Sequence, residues 1–189
     1  MKNKFVIDTS IFLNAQTFFL LGKTPQEAFK NFLQKISHKK RLQFFMPVSV
    51  KEELLKILNP ISIDEKLLLR MNCVSPKKYE LKVPALFLYE FIKEMRIRIN
   101  KGLRIAEKFT RKGLKKEAPE EKLIKDLRDE FREALRKGII DSCQDVDLLL
   151  LSKQLKASLI TEDEGLKVWA DKLGIRVLNT KDLKRLLEL

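Results

Sequence analysis

Lys4-Phe5-Val6-Ile7-Asp8-Thr9-Ser10 reads as a buried β-strand that ends in an acid followed by two hydroxyls. A short apolar run without alternation suits a strand covered on both faces, as in a parallel sheet. In open α/β sheets ligands sit just beyond the carboxyl ends of the strands. Asp8 occupies that place and is the first candidate for chemistry.

Two further acidic clusters lie near the other end of the chain: Asp141-Ser142-Cys143-Gln144-Asp145-Val146-Asp147 and Thr161-Glu162-Asp163-Glu164-Gly165. The elements between them follow from local signals. Thr24, Pro25 and Glu27 form a helix start, followed by Ala28, Phe29, Phe32, Leu33 and Ile36 at helical spacing. A short strand is expected over Gln43–Met46, then a helix over Val50–Leu58 opened by Pro47 and Ser49. Ser62-Ile63-Asp64-Glu65 has the form of a capping box.

From Pro84 to Phe109 the apolar residues Leu88, Ile92, Met95, Ile99, Leu103, Ala106 and Phe109 step by three and four, as on one long helix. Gly113 and Pro119 bracket a turn, and Leu123, Leu127, Phe131 and Leu135 mark a second helix. The pair makes a helical hairpin. Its apolar stripe is expected to be buried within the hairpin, with any surplus supplying a subunit interface.

Beyond Gly138 the alternation resumes: a helix from Ser142, a strand over 157–161, a helix over Glu164–Leu173 closed by Gly174, a strand over 175–178, and a last helix capped by Thr180. The reading is α/β, a three-layer sandwich with a central parallel sheet and an inserted long helical hairpin. Residues 1–83 and 138–189 form the sheet domain, and 84–137 the insert.

The chain has 189 residues, enough for one core and one accessory element. No apolar run approaches the roughly 18 residues of a membrane span, and Lys2 and Lys4 lead straight into a strand without a signal-peptide pattern. A cytoplasmic protein with no membrane partner is expected. The two cysteines, Cys73 and Cys143, lack metal-site spacing, and Cys73 reads as a small buried hydrophobe. The one histidine, His38, reads as a surface or helix-end residue, so zinc sites and Ser-His-Asp triads have little to be built from. A net charge of +13 suits either a solvated Lys- and Glu-rich surface or a polyanionic partner.

Any single acid here could serve as a helix cap, and Ser142 with Asp145 has that form. Asp141 and Asp145 share a helix face if the helix has begun by Asp141, whereas Asp147 would lie about 160° from Asp141, so all three meet only if the first turn is irregular or the ions lie off its end. As a set with Asp8 and Asp163, they would repel one another unless a cation is present. Mg²⁺ or Mn²⁺ with oxygen ligands meets that need. Together with the basic charge, this implies metal-assisted phosphodiester hydrolysis, leaving a 5′-phosphate and a 3′-hydroxyl.

Phe5-Val6-Ile7-Asp8-Thr9-Ser10, Pro47-x-Ser49-Val50-x-Glu52-Glu53-Leu54, Asp145-Val146-Asp147 and Ile160-Thr161-Glu162-Asp163-Glu164-Gly165 together resemble a PIN-domain nuclease. Tyr79 to Glu90, Gly138-Ile139-Ile140-Asp141-Ser142 and Asp163-Glu164-Gly165-Leu166-x-x-Trp169-Ala170 bring the likeness to one branch, the homologues of Aquifex RNase P. The resemblance implies a protein-only enzyme that removes the 5′ leader of precursor tRNA. It implies Asp8, Asp141, Asp145, Asp147 and Asp163 as catalytic, with Asp8, Asp145, Asp147 and Asp163 holding the metal. Glu164 stands where the family also uses Asp, and Glu53 matches an acid many PIN domains carry on the second helix. The hairpin is implied to assemble higher-order homo-oligomers and to contact tRNA.

Lys125, Arg128, Arg132 and Arg136 step along the second hairpin helix as a basic stripe suited to RNA phosphates, although Asp126, Asp129, Glu130 and Glu133 interleave with it. Two other functions remain open. A toxin-type ribonuclease of the same fold would usually be shorter and lack the insert. A non-catalytic RNA-binding or scaffold protein would use the hairpin alone and would not need the acids.

Overall fold

A computed structural model describes residues 3–39, 41–58, 65–115, 118–136, 140 and 142–188. It divides into two compact units, residues 1–82 with 142–189 and residues 83–141.

The first unit is organised by a parallel five-stranded sheet of order β3-β2-β1-β4-β5. The strands are β1 (Asn3–Ile7), β2 (Leu42–Met46), β3 (Asn72–Cys73), β4 (Ser158–Ile160) and β5 (Val177–Leu178). β1 lies at the centre, with Phe5 opposite Phe44 of β2 and Ser158 of β4. Its Val6 and Ile7 are wholly buried, as a strand covered on both faces requires.

The helices of this unit are α1 (Ser10–Leu13), α2 (Pro25–Ser37), α3 (Val48–Ile57), α4 (Glu65–Leu68), α7 (Cys143–Leu155), α8 (Glu164–Lys172) and α9 (Thr180–Glu188). Two more, α5 (Ala85–Leu114) and α6 (Glu120–Arg136), form the other unit. The chain leaves β1 for β2 on one side and later returns through α7 to β4 on the other. Right-handed crossovers in those two directions put α2 and α7 on opposite faces of the sheet. The α2 face is aromatic: Phe5 stacks on Phe44, Phe44 meets Phe32 edge-on, and Phe12 packs on both Phe29 and Phe32. Such pairs each contribute about 0.5–1.5 kcal/mol beyond the area they bury.

Local signals act largely as read. Thr24 caps α2 by accepting the Glu27 N–H at 3.1 Å, and its apolar face is the buried one. The Glu27 carboxylate accepts the Lys23 N–H at 2.9 Å, so the two ends of the cap bind reciprocally. Gly174 takes φ +66° after α8, the left-handed turn that favours glycine. The Ser62–Asp64 part of the expected capping box lies outside the described residues. Two expectations change. α3 begins at Val48 rather than Val50, with Pro47 at its N-cap and Ser49 inside its first turn. Cys73 is half-buried, since β3 is a two-residue edge strand with little to cover it.

In the second unit α5 and α6 run antiparallel: Arg98 meets Ala134 and Leu135, Gly102 meets Phe131, and Lys108 pairs with Glu130 at 2.8 Å. Ile105, Phe109 and Ala134 form the core with Leu123 and Leu127 beside them. The Arg98 guanidinium donates to the carbonyls of Ala134 and Leu135, favourable for a cation at a helix C-terminus. A Cβ on Gly102 would stand 2.7 Å from the Phe131 ring, so glycine is what lets that ring approach. The expected burial of the whole 88–109 stripe is corrected. Leu88, Ile92, Ile99 and Leu103 are more than half exposed, and the face packed on α6 is Arg98, Gly102, Ile105 and Phe109. The stripe is wider than one partner helix can cover.

Candidate active site

β1 and β4 diverge in connectivity from the middle of the sheet, which makes the crevice beyond their carboxyl ends the topological switch point. Asp8 stands there. Its N–H continues the ladder by donating to the Ile160 carbonyl at 3.0 Å, and its side chain is only 5% exposed. Two hydroxyls converge on Oδ2: Ser10 Oγ donates a short hydrogen bond, and Thr161 Oγ1 donates at 2.6 Å. Oδ1 receives only a long contact from Thr9 Oγ1, 3.4 Å. Burial pushes the Asp8 carboxyl above the ordinary aspartate range; Ser10 and Thr161 partly oppose that, and the charge of Asp163 adds to it.

The same hydroxyls shape the loop after β4. Ser10 Oγ accepts the Glu162 N–H and Thr161 Oγ1 accepts the Asp163 N–H, both at 3.0 Å. Asp163 then caps α8, its Oδ1 accepting the Leu166 N–H at 2.7 Å. It is exposed, yet close enough to Asp8 to be felt electrostatically. Glu164 is exposed and pairs with Lys167 at 2.7 Å. Glu162 accepts the Thr180 N–H at 2.8 Å, and its carboxyl is held below the usual range by Thr180 and Lys167 despite burial.

α7 begins after Ser142, whose Oγ accepts the Asp145 N–H at 3.0 Å. The capping interaction is thus real, and it coexists with the placement of Asp145 in the first turn. Asp147 lies two residues on, 5% exposed. Ser49 Oγ, from the first turn of α3, donates to its Oδ2 at 2.8 Å. On the other oxygen, Lys78 Nζ lies 2.6 Å from Oδ1. That oxygen is buried and takes no hydrogen bond of ordinary geometry, so the ammonium is its compensation. The carboxylate in turn holds the Lys78 ammonium above the ordinary lysine range. Asp141 lies outside the described residues. Glu53 is exposed on α3.

The structure therefore brings Asp8 and Asp163 together at the switch point, and sets Asp147 among Ser49 and Lys78. Among the described residues no group of three acidic, histidine or cysteine side chains stands close enough to hold a metal ion. Lys125, Arg128 and Arg132 are exposed on α6; the side chain of Arg136 lies outside what is described. Among the described residues no helix is long and apolar enough to cross a membrane.

Residues 4–189 match the family model described as PINc domain ribonuclease. The chain belongs to this family. It is 45% identical over 174 residues to an RNA-free ribonuclease P of Thermodesulfovibrio yellowstonii, covering 92% of this chain and 88% of the relative. A protein of the same name from Nitrosococcus oceani is 41% identical over 189 residues, 98% of this chain and 94% of its own. Another from Pyrococcus horikoshii is 36% identical over 185 residues, 97% and 91%. A PilT N-terminus domain protein of Sulfolobus solfataricus overlays with a TM-score of 0.44 at 13% identity, over 97% of this chain and 92% of that one.

As a PINc ribonuclease the protein is a nuclease acting on RNA, and the expected α/β fold, family and enzyme class stand. The sequence assigned no role in the site to Ser10, Thr161, Ser49 or Lys78. The first three lie inside the quoted motifs; a hydroxyl within two residues of Asp8 and of Asp163 was the available signal for Ser10 and Thr161, whereas Ser49 is 98 positions from Asp147. Lys78 carried none: it is one of 39 basic residues, and only the folded chain brings it to an acid 69 positions away.

Proposed function

We propose that this protein is an RNA-free ribonuclease P, an endoribonuclease that removes the 5′ leader of precursor tRNA in the cytoplasm with Mg²⁺ or Mn²⁺. The observation that carries the reading is near full-length similarity to proteins of that name, on a chain that places Asp8 at the switch point of its sheet. The donor set fits a hard divalent ion. It is made of carboxylates and hydroxyls, Asp8 is buried and reluctant to ionise alone, and Asp147 already draws a cation, the Lys78 ammonium.

Asp8, Asp145, Asp147 and Asp163 would hold the ion, with Asp141 completing the catalytic set. When bound, the ion supplies charge stabilisation at phosphorus and activation of the attacking water. The chain's own residues orient these groups. Ser10 and Thr161 fix Asp8 through Oδ2 and leave Oδ1 with only the long Thr9 contact, while Ser49 fixes Asp147. Water oxygen bonds to phosphorus as the bond to the leader's 3′-oxygen breaks. The leader departs with a 3′-hydroxyl, and the tRNA keeps a 5′-phosphate.

The basic face of α6 (Lys125, Arg128, Arg132 and Arg136) contacts the phosphates of the folded tRNA, which is recognised by shape rather than by base sequence. The exposed Leu88, Ile92, Ile99 and Leu103 of α5 supply a higher-order homo-oligomer interface, measurable by sedimentation. The deciding experiment incubates purified protein with a precursor tRNA and Mg²⁺ and maps the product ends. A 5′-phosphate on the first mature nucleotide is expected; no cleavage, or cleavage scattered along the RNA, overturns the proposal.

A further inference from the structure

Asp147 presents a problem of charge. Its carboxylate is buried, one oxygen is satisfied by Ser49, and the other has no hydrogen-bond donor of ordinary geometry. An uncompensated buried charge is costly, and a site meant for a divalent ion must survive while the ion is away. Lys78 Nζ, 2.6 Å from Oδ1, supplies the missing positive charge.

The loop that carries Lys78 is built to place it. Asp147 and Gln154 are seven residues apart on α7, two turns along one face. Gln154 Oε1 accepts the Lys77 N–H at 2.8 Å, which pins the loop beside that face. The Lys78 N–H donates to the Pro76 carbonyl at 2.9 Å, and Leu81 and Glu80 donate back to the Lys77 carbonyl, so the backbone is folded into a tight turn. The flexible Lys78 stem then crosses from this anchor to Asp147. Its side chain remains about half exposed, so the ammonium can swing into water without unfolding anything.

We infer that Lys78 is a built-in stand-in for the divalent ion: it holds Asp147 in position in the metal-free protein, is displaced when the ion binds, and so sets the ion concentration at which the site fills. Lys78 is thus a positioning residue, acting through Asp147. The inference rests on the metal-dependent reading of the site proposed above.

The test is direct Mn²⁺ binding, read from the electron paramagnetic resonance of the free ion, in the full-length protein. Lys78→Met removes the competitor, and its affinity for Mn²⁺ is expected to rise about threefold to tenfold, the scale of a half-exposed ion pair. Lys77→Met makes the same charge change one residue away without touching Asp147 and should leave affinity as it was; Lys78→Arg, which keeps the charge, should gain little. Circular dichroism checks that each variant is folded. An unchanged or weaker affinity in Lys78→Met, or an equal gain in Lys77→Met, overturns the inference. Asp147→Asn separates this from failure of the site itself. If Asp147→Asn loses Mn²⁺ while Lys78→Met gains none, only the Lys78 role falls; if Asp147→Asn binds Mn²⁺ as tightly as wild type, the metal reading of Asp147 falls and the role of Lys78 with it.

Discussion

Asp8→Asn should make the metal-free protein more stable while destroying its activity. Asparagine has the same shape, and its carbonyl oxygen can accept from both Ser10 and Thr161, so the packing and the two hydrogen bonds to Oδ2 are retained. What disappears is a negative charge that is 5% exposed, faces Asp163, and has only a 3.4 Å contact on its other oxygen. Removing strain of this kind at a functional site stabilises by about 1–2 kcal/mol, or about 2–8 °C in Tm for a chain of this size. The pH dependence carries the sign. The folded Asp8 carboxyl binds its proton more tightly than the unfolded one, because burial raises its pKa. Stability from that proton is fully present below the ordinary aspartate value and is lost as pH rises through the raised one. Wild type should therefore lose stability across that window relative to Asp8→Asn, and the gap should close at acid pH. Saturating Mg²⁺ should reverse the ranking, since ligand at about a hundred times its dissociation constant stabilises wild type by about 2.7 kcal/mol and the variant hardly at all. Thermal denaturation at neutral and acid pH, with and without Mg²⁺, measures all of this, and single-turnover cleavage measures activity. A variant less stable than wild type at neutral pH without metal would refute the account of Asp8 as a buried charge that its two hydroxyl donors only partly compensate.

Other outcomes follow from the same geometry. Asp145→Ala should lower leader removal at least about tenfold to a hundredfold, the scale seen when even the supporting shell of a metal site is damaged, with helix content retained; normal cleavage would end the metal role of Asp145. Arg128→Glu combined with Arg132→Glu should reduce the salt dependence of precursor-tRNA binding by about one unit of slope per lost phosphate contact, without lowering Tm. Binding titrated across KCl concentrations checks this, and an unchanged slope would return that stripe to being a solvated face. Gly22→Ala should cost about 1–3 kcal/mol, because its new methyl would stand 2.7 Å from the Glu27 carbonyl carbon and 2.8 Å from Ala28 Cα, backbone atoms that cannot yield cheaply. Urea denaturation measures that cost, and an unchanged midpoint would contradict the packing at the start of α2.

Much of this protein was determined by its sequence alone. The apolar run before Asp8, the helix caps at Thr24 and Ser142, and the three- and four-residue steps of the hairpin are local signals, written within a few residues of where they act. They are legible because backbone hydrogen bonding and side-chain periodicity act at that range. The motifs around Asp8, Asp145 and Asp163 were legible for the same reason, and the family match agrees with them.

Tertiary structure decided the rest. β3 is a strand only because Met46 and Cys73 lie side by side at the sheet edge. The buried face of α5 follows where α6 meets it, so Leu88 and Ile99 are exposed although their spacing marks them as apolar. The partners of the acids are also set by the fold: Thr161 reaches Asp8 across 153 positions, Ser49 reaches Asp147 across 98, and Lys78 arrives from a loop pinned to α7. Sequence identifies which residues carry charge and where an element begins. Which charges lose their water, and which neighbours then compensate them, depends on contacts between distant segments, and those exist only once the chain has folded.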